Sequence, residues 1–284
     1  NWKRRLNRLY SGLLDDAEQF GRTGPWQEQK SLRQMAEAGN ERAIAAITRI
    51  EDLAGLISHL VKDADFKVLY DRKHRLFLIG YHVSSQTPDA GRYDLMASEA
   101  RLTSFLAVAK GDVSQKHWFA LGRPFTLILG TPALLSWSGS MFEYLMPNLV
   151  LKTPPGSIFS ASSRAAVNRQ IIQGFQMKLP WGVSESQFYL FDQNANYQYT
   201  AFGVMRLRLQ STLRPARVVA QYATMLALTV NPGAALNNID RLRLIGAEGE
   251  YGFYEALDYS RPDSTNLKPF SLVQTVMVHH QGMS

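Results

Sequence analysis

Apolar residues recur at helical spacing through the first sixty residues of the chain. One run contains Leu6, Leu9, Leu13 and Leu14. A second run covers residues 32–60, and this spacing puts the apolar side chains on one face of each helix. Gly and Pro interrupt the pattern at residues 21–25, and Gly39-Asn40 breaks the second run. We expect residues 1–60 to form a helical lead-in that packs on a larger domain, residues 61–284.

The pattern changes at residue 66. Two β-rich runs, residues 66–70 and 76–81, flank a polar turn and predict a small β-hairpin. Helical patterns then predict helices over residues 94–109, 139–151, 157–177, 215–230, 232–245 and 270–284. Between them lie loops rich in Gly, Pro and aromatic residues, at 112–138, 178–214 and 247–269. We expect a mainly α fold whose loops build a cleft at one end.

Composition narrows the possible chemistry. The 284 residues include no cysteine, which excludes a thiolate nucleophile, an iron–sulfur cluster and a disulfide scaffold. The net charge of +7 is spread along the chain, and no run of like charge is longer than Lys3-Arg4-Arg5. A dispersed charge predicts no nucleic-acid partner. The longest apolar stretch, residues 125–135, is shorter than the ~20 residues of a membrane span, so we expect a soluble fragment.

Known cofactor and metal motifs are not found in the sequence. There is no Gly-rich phosphate loop, and Ser138-Gly139-Ser140 lacks the spacing of a nucleophile elbow. Of six histidines, only His279 and His280 are adjacent, and neighbouring side chains on a helix point about 100° apart. We predict no cofactor and no metal.

Isolated carboxylates are the strongest chemical signal. Glu143 and Glu185 are the only acidic residues between Val113 and Phe191, and each stands among aromatic and small residues. Such a glutamate is typically buried, hydrogen-bonded and shifted in pKa. Glu99 is a third case, for which a buried ion pair with Arg101 is the structural alternative.

Aromatic and polar residues near these glutamates suit a carbohydrate ligand. Aromatic rings can stack on the C–H faces of sugars, although ordinary core packing is the alternative for any one of them. The aromatic candidates are Trp137, Tyr144, Trp181, Tyr197, Tyr199 and Tyr254. Hydroxyl partners are available in Asp192, Asn196 and Gln198. Paired carboxylates with such neighbours are typical of glycosidic-bond chemistry, in which one acid protonates the leaving oxygen and the other attacks or activates water.

Several motifs together resemble the central glycoamylase-like region of cyclic β-1,2-glucan synthases, which is similar to endo-β-1,2-glucanases. The matching blocks keep their order over roughly residues 65–284. They include GYHVS at 80–84, YDLMASEAR at 93–101, SWSGSMFEYLMP at 136–147, PWGVSES at 180–186, NYQY at 196–199, YGFYEA at 251–256 and HHQGMS at 279–284.

The resemblance implies an (α/α)6 barrel that joins linear β-1,2-glucan into rings by retaining transglycosylation. It implies Glu99 as acid/base and Glu185 as nucleophile, with a proton that can pass through a substrate hydroxyl, and leaves Glu143 as a reserve candidate. Further substrate-binding candidates from the matching blocks are Tyr93, Asp94, Arg101, Glu255, His279, His280 and Gln281.

The resemblance also implies a context. In the family this region lies between a glycosyltransferase region and a phosphorylase-like region, as a cytoplasmic-facing part of an inner-membrane protein. The chain begins at Asn1 and ends at Ser284 inside a predicted helix. We therefore expect a piece of a longer chain, whose barrel lacks its last helix.

Two departures from the family pattern leave alternatives open. Residues 205–213 read MRLRLQSTL where the family has a Gly-rich segment, and Gln221 stands where a Pro is usual. We expect this loop to border the cleft, where it could change the outcome of the reaction. Endo-hydrolysis of β-1,2-glucan and a non-catalytic, glucan-holding module are the two alternatives to cyclisation.

Overall fold

A computed structural model describes residues 11–12, 30–210 and 217–284. The chain divides into two compact units, Asn1–Asp65 and Phe66–Ser284. The predicted leucine run from Leu6 to Leu14 and the break at 21–25 lie outside the described residues. In the first unit, α1 (Leu32–Glu37) and α2 (Glu41–Asp63) confirm the second helical run and its break at Gly39.

Side-chain caps explain where these two helices begin. Ser31 and Gln34 form a capping box at α1, and Asn40 accepts hydrogen bonds from two backbone N–H groups in the first turn of α2. The predicted packing of residues 1–60 on the second unit stays a prediction.

The second unit contains seven α-helices among its described residues. They are α3 (Arg101–Lys110), α4 (Lys116–Ala120), α5 (Met141–Leu145), α6 (Ile158–Met177), α7 (Gln221–Leu226), α8 (Pro232–Leu244) and α9 (Val278–Gly282). Short 3-10 turns extend α5 and α7 to residues 149 and 229. Among the described residues, no helix is long and apolar enough to cross a membrane.

Small antiparallel sheets connect the helices. The three-stranded sheets are β1 (Tyr70–Asp71), β2 (Leu76–Leu78) and β5 (Arg92–Tyr93), and β10 (Val218–Ala220), β13 (Ala256–Asp258) and β14 (Ser271–Val273). The two-stranded ones are β3 (Tyr81–His82) with β4 (Thr87–Pro88), β6 (Phe125–Ile128) with β7 (Thr131–Leu134), β8 (Ser186–Phe191) with β9 (Tyr197–Thr200), and β11 (Glu248–Gly249) with β12 (Gly252–Phe253). The predicted mainly α class holds, with more sheet than the single expected hairpin.

Several predicted boundaries were wrong. Residues 66–69 form a 3-10 turn rather than a strand, and residues 94–100 are irregular, with the helix starting only at Arg101. The predicted helix 270–284 splits into β14 and the short α9. Residues 271–273 are extended because they pair with β13, and a long-range pairing of this kind is invisible to local periodicity.

The main core lies between the small-residue face of α6 and the loops that carry the glutamates. Ala165, Ala166 and Val167 of α6 are fully buried there, together with Met141 and Leu145 of α5. Small side chains on α6 let neighbouring backbone approach closely, as in the many contacts between α6 and β7. The core thus packs against the loops that carry the glutamates.

Candidate active site

Glu99, Glu143 and Glu185 line one cleft of about 600 Å³. The other lining residues are Ile79, Gly91, Arg92, Tyr93, Asp94, Ser98, Trp137, Ser138, Ala201 and Gln210. Segments far apart in the sequence therefore converge on one place. Tyr93, Asp94 and Trp137 are the substrate-binding candidates that the structure brings to this cleft.

Glu99 lies in the irregular segment between β5 and α3. A parallel bridge between Leu95 and Gly122 anchors this segment, since Met96 N–H and Gly122 N–H donate to Gly122 and Asp94 carbonyls. The Ser98 hydroxyl donates to Glu99 Oε2 at 3.1 Å. Burial raises the pKa of the Glu99 carboxyl, and the neighbouring charge of Glu143 raises it further.

The expected alternative for Glu99, an ion pair with Arg101, is wrong. The Arg101 guanidinium stacks over the Phe159 ring, 4.3 Å from its centroid. Its buried position lowers the pKa of Arg101 to about 10. Glu99 is therefore left without this cation, which keeps its carboxyl easy to protonate.

Glu185 lies near the end of a buried loop, residues 180–186, that we call the Glu185 loop. Asn238 of α8 holds its start, because the Asn238 side chain accepts from Trp181 N–H and donates to Trp181 carbonyl oxygen. Burial raises the pKa of the Glu185 carboxyl, the hydrogen bond from the Tyr199 hydroxyl lowers it, and Glu99 and Glu143 raise it. The charge of Glu99 thus acts on the Glu185 carboxyl across the cleft.

Glu143 has a different environment, in a segment that we call the Glu143 loop, residues 136–143. Its carboxylate accepts from the hydroxyls of Ser136, Ser138 and Ser140 and from the backbone N–H groups of Ser138 and Ser140. With Ser140 it also forms the capping box of α5. A carboxylate with this many donors is fixed in place and has little capacity left for a substrate.

The segment after β9 clamps the Glu143 loop. Val204 N–H donates to Gly139 carbonyl oxygen, and Leu209 N–H donates to Ser136 carbonyl oxygen. A side chain at Gly203 would put its Cβ 1.6 Å from the Ser138 carbonyl oxygen. Only glycine allows so close an approach. Gln210 at the end of this segment lines the cleft, which confirms for its described part that the departing loop borders the site.

Trp137 projects from the Glu143 loop into the cleft with half of its side chain exposed. Its indole Nε1–H donates to Asp94 Oδ1 at 2.7 Å, which fixes the ring orientation. Tyr93 stands beside it, and the charges of Glu99 and Glu185 raise the pKa of its hydroxyl, after burial as the main cause. A fixed exposed ring beside carboxylates is suited to stacking on a sugar.

Three other binding candidates are buried in the core instead. Tyr144 donates its hydroxyl to the carbonyl oxygens of Leu134 and Leu207, and Trp181 is almost fully covered. Arg101 is buried against Phe159. Here the structural alternative of core packing describes their position better.

The β8–β9 hairpin carries a further group of candidates. Asp192 and Asn196 lie at its exposed tip, where the Asp192 carboxylate accepts from Asn194 and Asn196 N–H groups and so closes the turn. Gln198 is exposed on β9, and Tyr197 bonds to the Gln274 backbone. Of this hairpin, only Tyr199 is shown in contact with a cleft glutamate.

The candidates near the end of the chain lie behind the cleft. His280 and Glu255 are buried and in hydrogen-bond contact, and Tyr254 and Gln281 line a separate small cavity with them. His279 is exposed and its ring lies 4.0 Å from that of His280. Of these side chains, His280 and Glu255 are too deeply buried to contact a glucan in the cleft directly.

Sequence reasoning missed several cleft residues. Arg92 is ion-paired with Asp71, and Ser98 and Ser138 hold carboxylates, while Ile79 gives the cleft an apolar wall. The motif around residue 93 was a signal for Arg92, which directly precedes it. Among the described residues, no group of three His, Asp or Glu side chains is arranged to hold a metal ion. The side chains that line the cleft supply carboxylates, hydroxyls, one guanidinium, one amide and one indole ring.

The comparison with known families fits this site. The sequence model of the Glycoamylase family, described as putative glucoamylase, matches residues 92–284. The chain belongs to the Glycoamylase family. This family membership confirms the resemblance and makes the chain a member of a carbohydrate-active enzyme family. The match begins at β5 and includes all three cleft glutamates.

One curated relative is a glucan synthase. The cyclic β-(1,2)-glucan synthase NdvB of Rhizobium meliloti (strain 1021) is 42% identical over 248 residues, which cover 87% of this chain. The chain spans only 8% of that relative's length. NdvB is thus a far larger protein, of which one part corresponds to this chain.

Solved structures support the fold. An endo-β-1,2-glucanase from Chitinophaga pinensis, in complex with sophorotriose and glucose, has a TM-score of 0.55 at 17% identity, over 82% of this chain and 57% of that chain. A putative glucoamylase from Bacteroides fragilis NCTC 9343 has a TM-score of 0.56 at 16% identity. The match covers 92% of this chain and 64% of that chain. At these identities the likeness shows a shared fold.

Proposed function

We propose that this chain is the part of a cyclic β-1,2-glucan synthase that converts linear β-1,2-glucan into rings by retaining transglycosylation. The observation that carries the proposal is that Glu99 and Glu185 line one cleft, both with a raised pKa. The identity with NdvB supports β-1,2-glucan as the substrate. The same proposal includes other domains of a longer chain, a membrane-bound context facing the cytoplasm, and an (α/α)6 toroid.

The two glutamates have environments that suit two different roles. Within the described part of the chain, Glu99 has the Ser98 hydroxyl as its one side-chain donor, and its raised pKa keeps a proton available for the leaving oxygen. Glu185 receives the Tyr199 hydroxyl, which favours the ionised form that a nucleophile needs. We therefore assign Glu99 as acid/base and Glu185 as nucleophile.

The reaction then has two balanced steps. The Glu185 carboxylate bonds to the anomeric carbon while the glycosidic bond breaks, and the leaving oxygen takes the proton of Glu99, directly or through a substrate hydroxyl. In the second step, Glu99 takes the proton of an acceptor hydroxyl, whose oxygen displaces Glu185. If the acceptor is the other end of the same glucan, the product is a ring.

Binding is assigned to the side chains that line the cleft. Trp137 offers the stacking surface, and Tyr93 and Asp94 offer hydroxyl partners beside it. Gln210 adds an amide at the border formed by the departing loop. We assign Glu143 no bond-making step: it fixes the Glu143 loop, which carries Trp137, and its charge raises the pKa values of Glu99 and Glu185.

The test is product analysis with linear β-1,2-glucan, using the full-length protein that contains this chain. We expect rings from the wild type and none from Glu185→Gln. A matched control is Glu248→Gln, an exposed glutamate paired with Arg243 away from the cleft, which should leave ring formation intact. Unchanged ring formation by Glu185→Gln would overturn the assignment.

Endo-hydrolysis is the second candidate. It is favoured by the fold shared with the endo-β-1,2-glucanase and by the open cleft, through which water can reach the same glycosyl intermediate. Linear reducing fragments without rings would identify this outcome. Glucan binding without any turnover would identify the non-catalytic module.

A further inference from the structure

A buried pair of side chains lies behind Glu185, on the side away from the cleft. His280 Nδ1 is 2.9 Å from both carboxylate oxygens of Glu255, and about 1% of each side chain is exposed. Glu255 Oε1 also accepts from Gln187 N–H, in the strand that follows Glu185. A pair this buried has no access to a glucan in the cleft.

The His280 ring contacts both tyrosines that hold Glu185. It stacks on Tyr222 with centroids 3.9 Å apart and planes at 16°, and on Tyr199 at 6.2 Å and 29°. The Tyr222 hydroxyl bonds to the Glu185 carbonyl oxygen at 2.9 Å, and the Tyr199 hydroxyl bonds to the Glu185 carboxylate. His280 therefore sits one contact away from both the backbone and the side chain of Glu185.

The second nitrogen of His280 faces a small internal cavity. His280 Nε2 and both amide atoms of Gln221 are buried without a hydrogen-bond partner among the described residues. All three atoms belong to side chains that line a cavity of about 30 Å³. That volume and polarity suit a single water molecule, which needs two to four polar partners.

We propose that His280 is a positioning residue for Glu185, held on Nδ1 by Glu255 and on Nε2 by Gln221 through one buried water. The inference rests on the proposed function, because it concerns the nucleophile assigned there. It also gives a role to Gln221, the residue that departs from the family pattern. In this arrangement His280 fixes Tyr199 and Tyr222, and they fix Glu185.

Electrostatics act in the same direction. The groups whose charges reach the Glu185 carboxyl are Glu99, Glu143 and His280, with Tyr93, Tyr199 and Tyr222 beside them. Around His280 the titratable neighbours are Glu255, His279, Tyr199 and Tyr222. Among these neighbours, the Coulomb interaction with His280 lowers the pKa of the Glu185 carboxyl. Its removal should therefore shift the acid side of the pH–rate profile to higher pH.

The experiment compares His280→Gln and His280→Phe with wild type in the full-length protein on linear β-1,2-glucan. We expect kcat to fall by about 10- to 100-fold, because small displacements of a reacting group carry penalties of this size. KM should stay within about twofold of wild type, since uniform binding is not touched. The acid limb of kcat/KM should move to higher pH.

His117→Phe is the matched control. His117 is also fully buried and bonded through both nitrogens, to the Arg75 carbonyl and the Ser104 hydroxyl, but it does not act on the glutamates. It should lower the melting temperature without moving the pH profile. If His280→Phe does not fold, His280→Gln decides, because its amide can still donate to Glu255.

Gln221→Leu tests the water arm. It keeps the volume and removes both polar atoms, so we expect a smaller fall in kcat and loss of the water from a high-resolution crystal structure. Wild-type kcat and pH profile in His280→Gln would overturn the proposal, and a dry cavity in the wild-type crystal would remove Gln221 from it. Activity retained by Glu185→Gln would instead overturn the proposed function itself.

Discussion

The Glu143 loop and the Glu185 loop look alike as sequences and differ as structures. Each places a single glutamate among serine, glycine and an aromatic residue. In the structure the Glu143 carboxylate accepts from two backbone N–H groups and three serine hydroxyls, whereas the Glu185 carboxylate is shown with one donor, Tyr199. The number of donors around each carboxylate therefore agrees with the proposed structural role of Glu143 and the proposed reactive role of Glu185.

The two loops also touch. Ser184 of the Glu185 loop accepts from Phe142 N–H at 3.0 Å, so the start of α5 is tied to the residue before Glu185. Ser184 also accepts from the Tyr222 hydroxyl. The Glu143 loop thus supports the Glu185 loop.

Exchanging each glutamate for glutamine gives the largest expected contrast. Glu185→Gln should reduce turnover of linear β-1,2-glucan by more than about 10⁴-fold, as expected for loss of a nucleophile. Glu143→Gln should keep measurable turnover but lose about 1–3 kcal/mol of unfolding free energy, because an amide N–H₂ group would face backbone donors. The measurements are ring formation and denaturant unfolding.

A pH series sharpens this contrast. Burial raises the pKa of Glu185 in the folded state, so ionising this group at high pH weakens the folded state relative to the unfolded one. Glu185→Gln should therefore melt above wild type at pH 8, and the gap should close as the pH falls below the ordinary glutamate pKa. A gap of the same size at both pH values would contradict the buried, uncompensated carboxyl.

Part of this difference was readable from the sequence. Ser140 and Glu143 have the S-x-x-E spacing of a capping box, which identifies Glu143 as a helix-start residue, whereas its aromatic neighbours favour a site residue. The convergence of Glu99 with Glu185 came from the family resemblance. Local periodicity gave α6 and α8 to within one residue.

Other features could not be predicted because they depend on long-range contacts. The sheet of β10, β13 and β14 pairs residues far apart in the chain. Because of this pairing, residues 271–273 form β14 where the local pattern predicts a helix. Burial of Tyr144, Trp181 and His280 is likewise a property of the assembled core. Aromatic residues near an acid look the same in sequence whether they face a cleft or the interior.

Gly203→Ala should disrupt the packing of the segment after β9 against the Glu143 loop. The added methyl group would meet the Ser138 carbonyl oxygen, and this contact is with backbone, which cannot rotate away. We expect a loss of about 3 kcal/mol in unfolding free energy, together with a weaker turnover. Gly233→Ala is the control, because a Cβ there meets nothing within 4 Å in the first turn of α8. Equal stabilities of the two variants would contradict the clamp.

Tyr199→Phe tests the hydroxyl that bonds to the Glu185 carboxylate. The Tyr199 hydroxyl lowers the pKa of Glu185, so its removal raises that pKa and leaves less of the ionised nucleophile at low pH. The acid limb of kcat/KM should move to higher pH, and activity on the alkaline side should change less. Tyr189→Phe, on the same hairpin, should keep the wild-type profile.

Trp137 supplies the smallest expected effect, through binding alone. Its exposed ring is held over the cleft by the hydrogen bond to Asp94, and stacking of this kind contributes about 0.5–1.5 kcal/mol. Trp137→Ala should therefore raise KM for linear β-1,2-glucan by roughly 2- to 12-fold while kcat changes less. Trp137→Phe keeps a ring but loses the Asp94 bond, and its KM should fall between the two. A kcat loss larger than the KM change would mean that Trp137 acts on the reacting bond. The Glu143 loop would then contribute to the reaction as well as support the Glu185 loop.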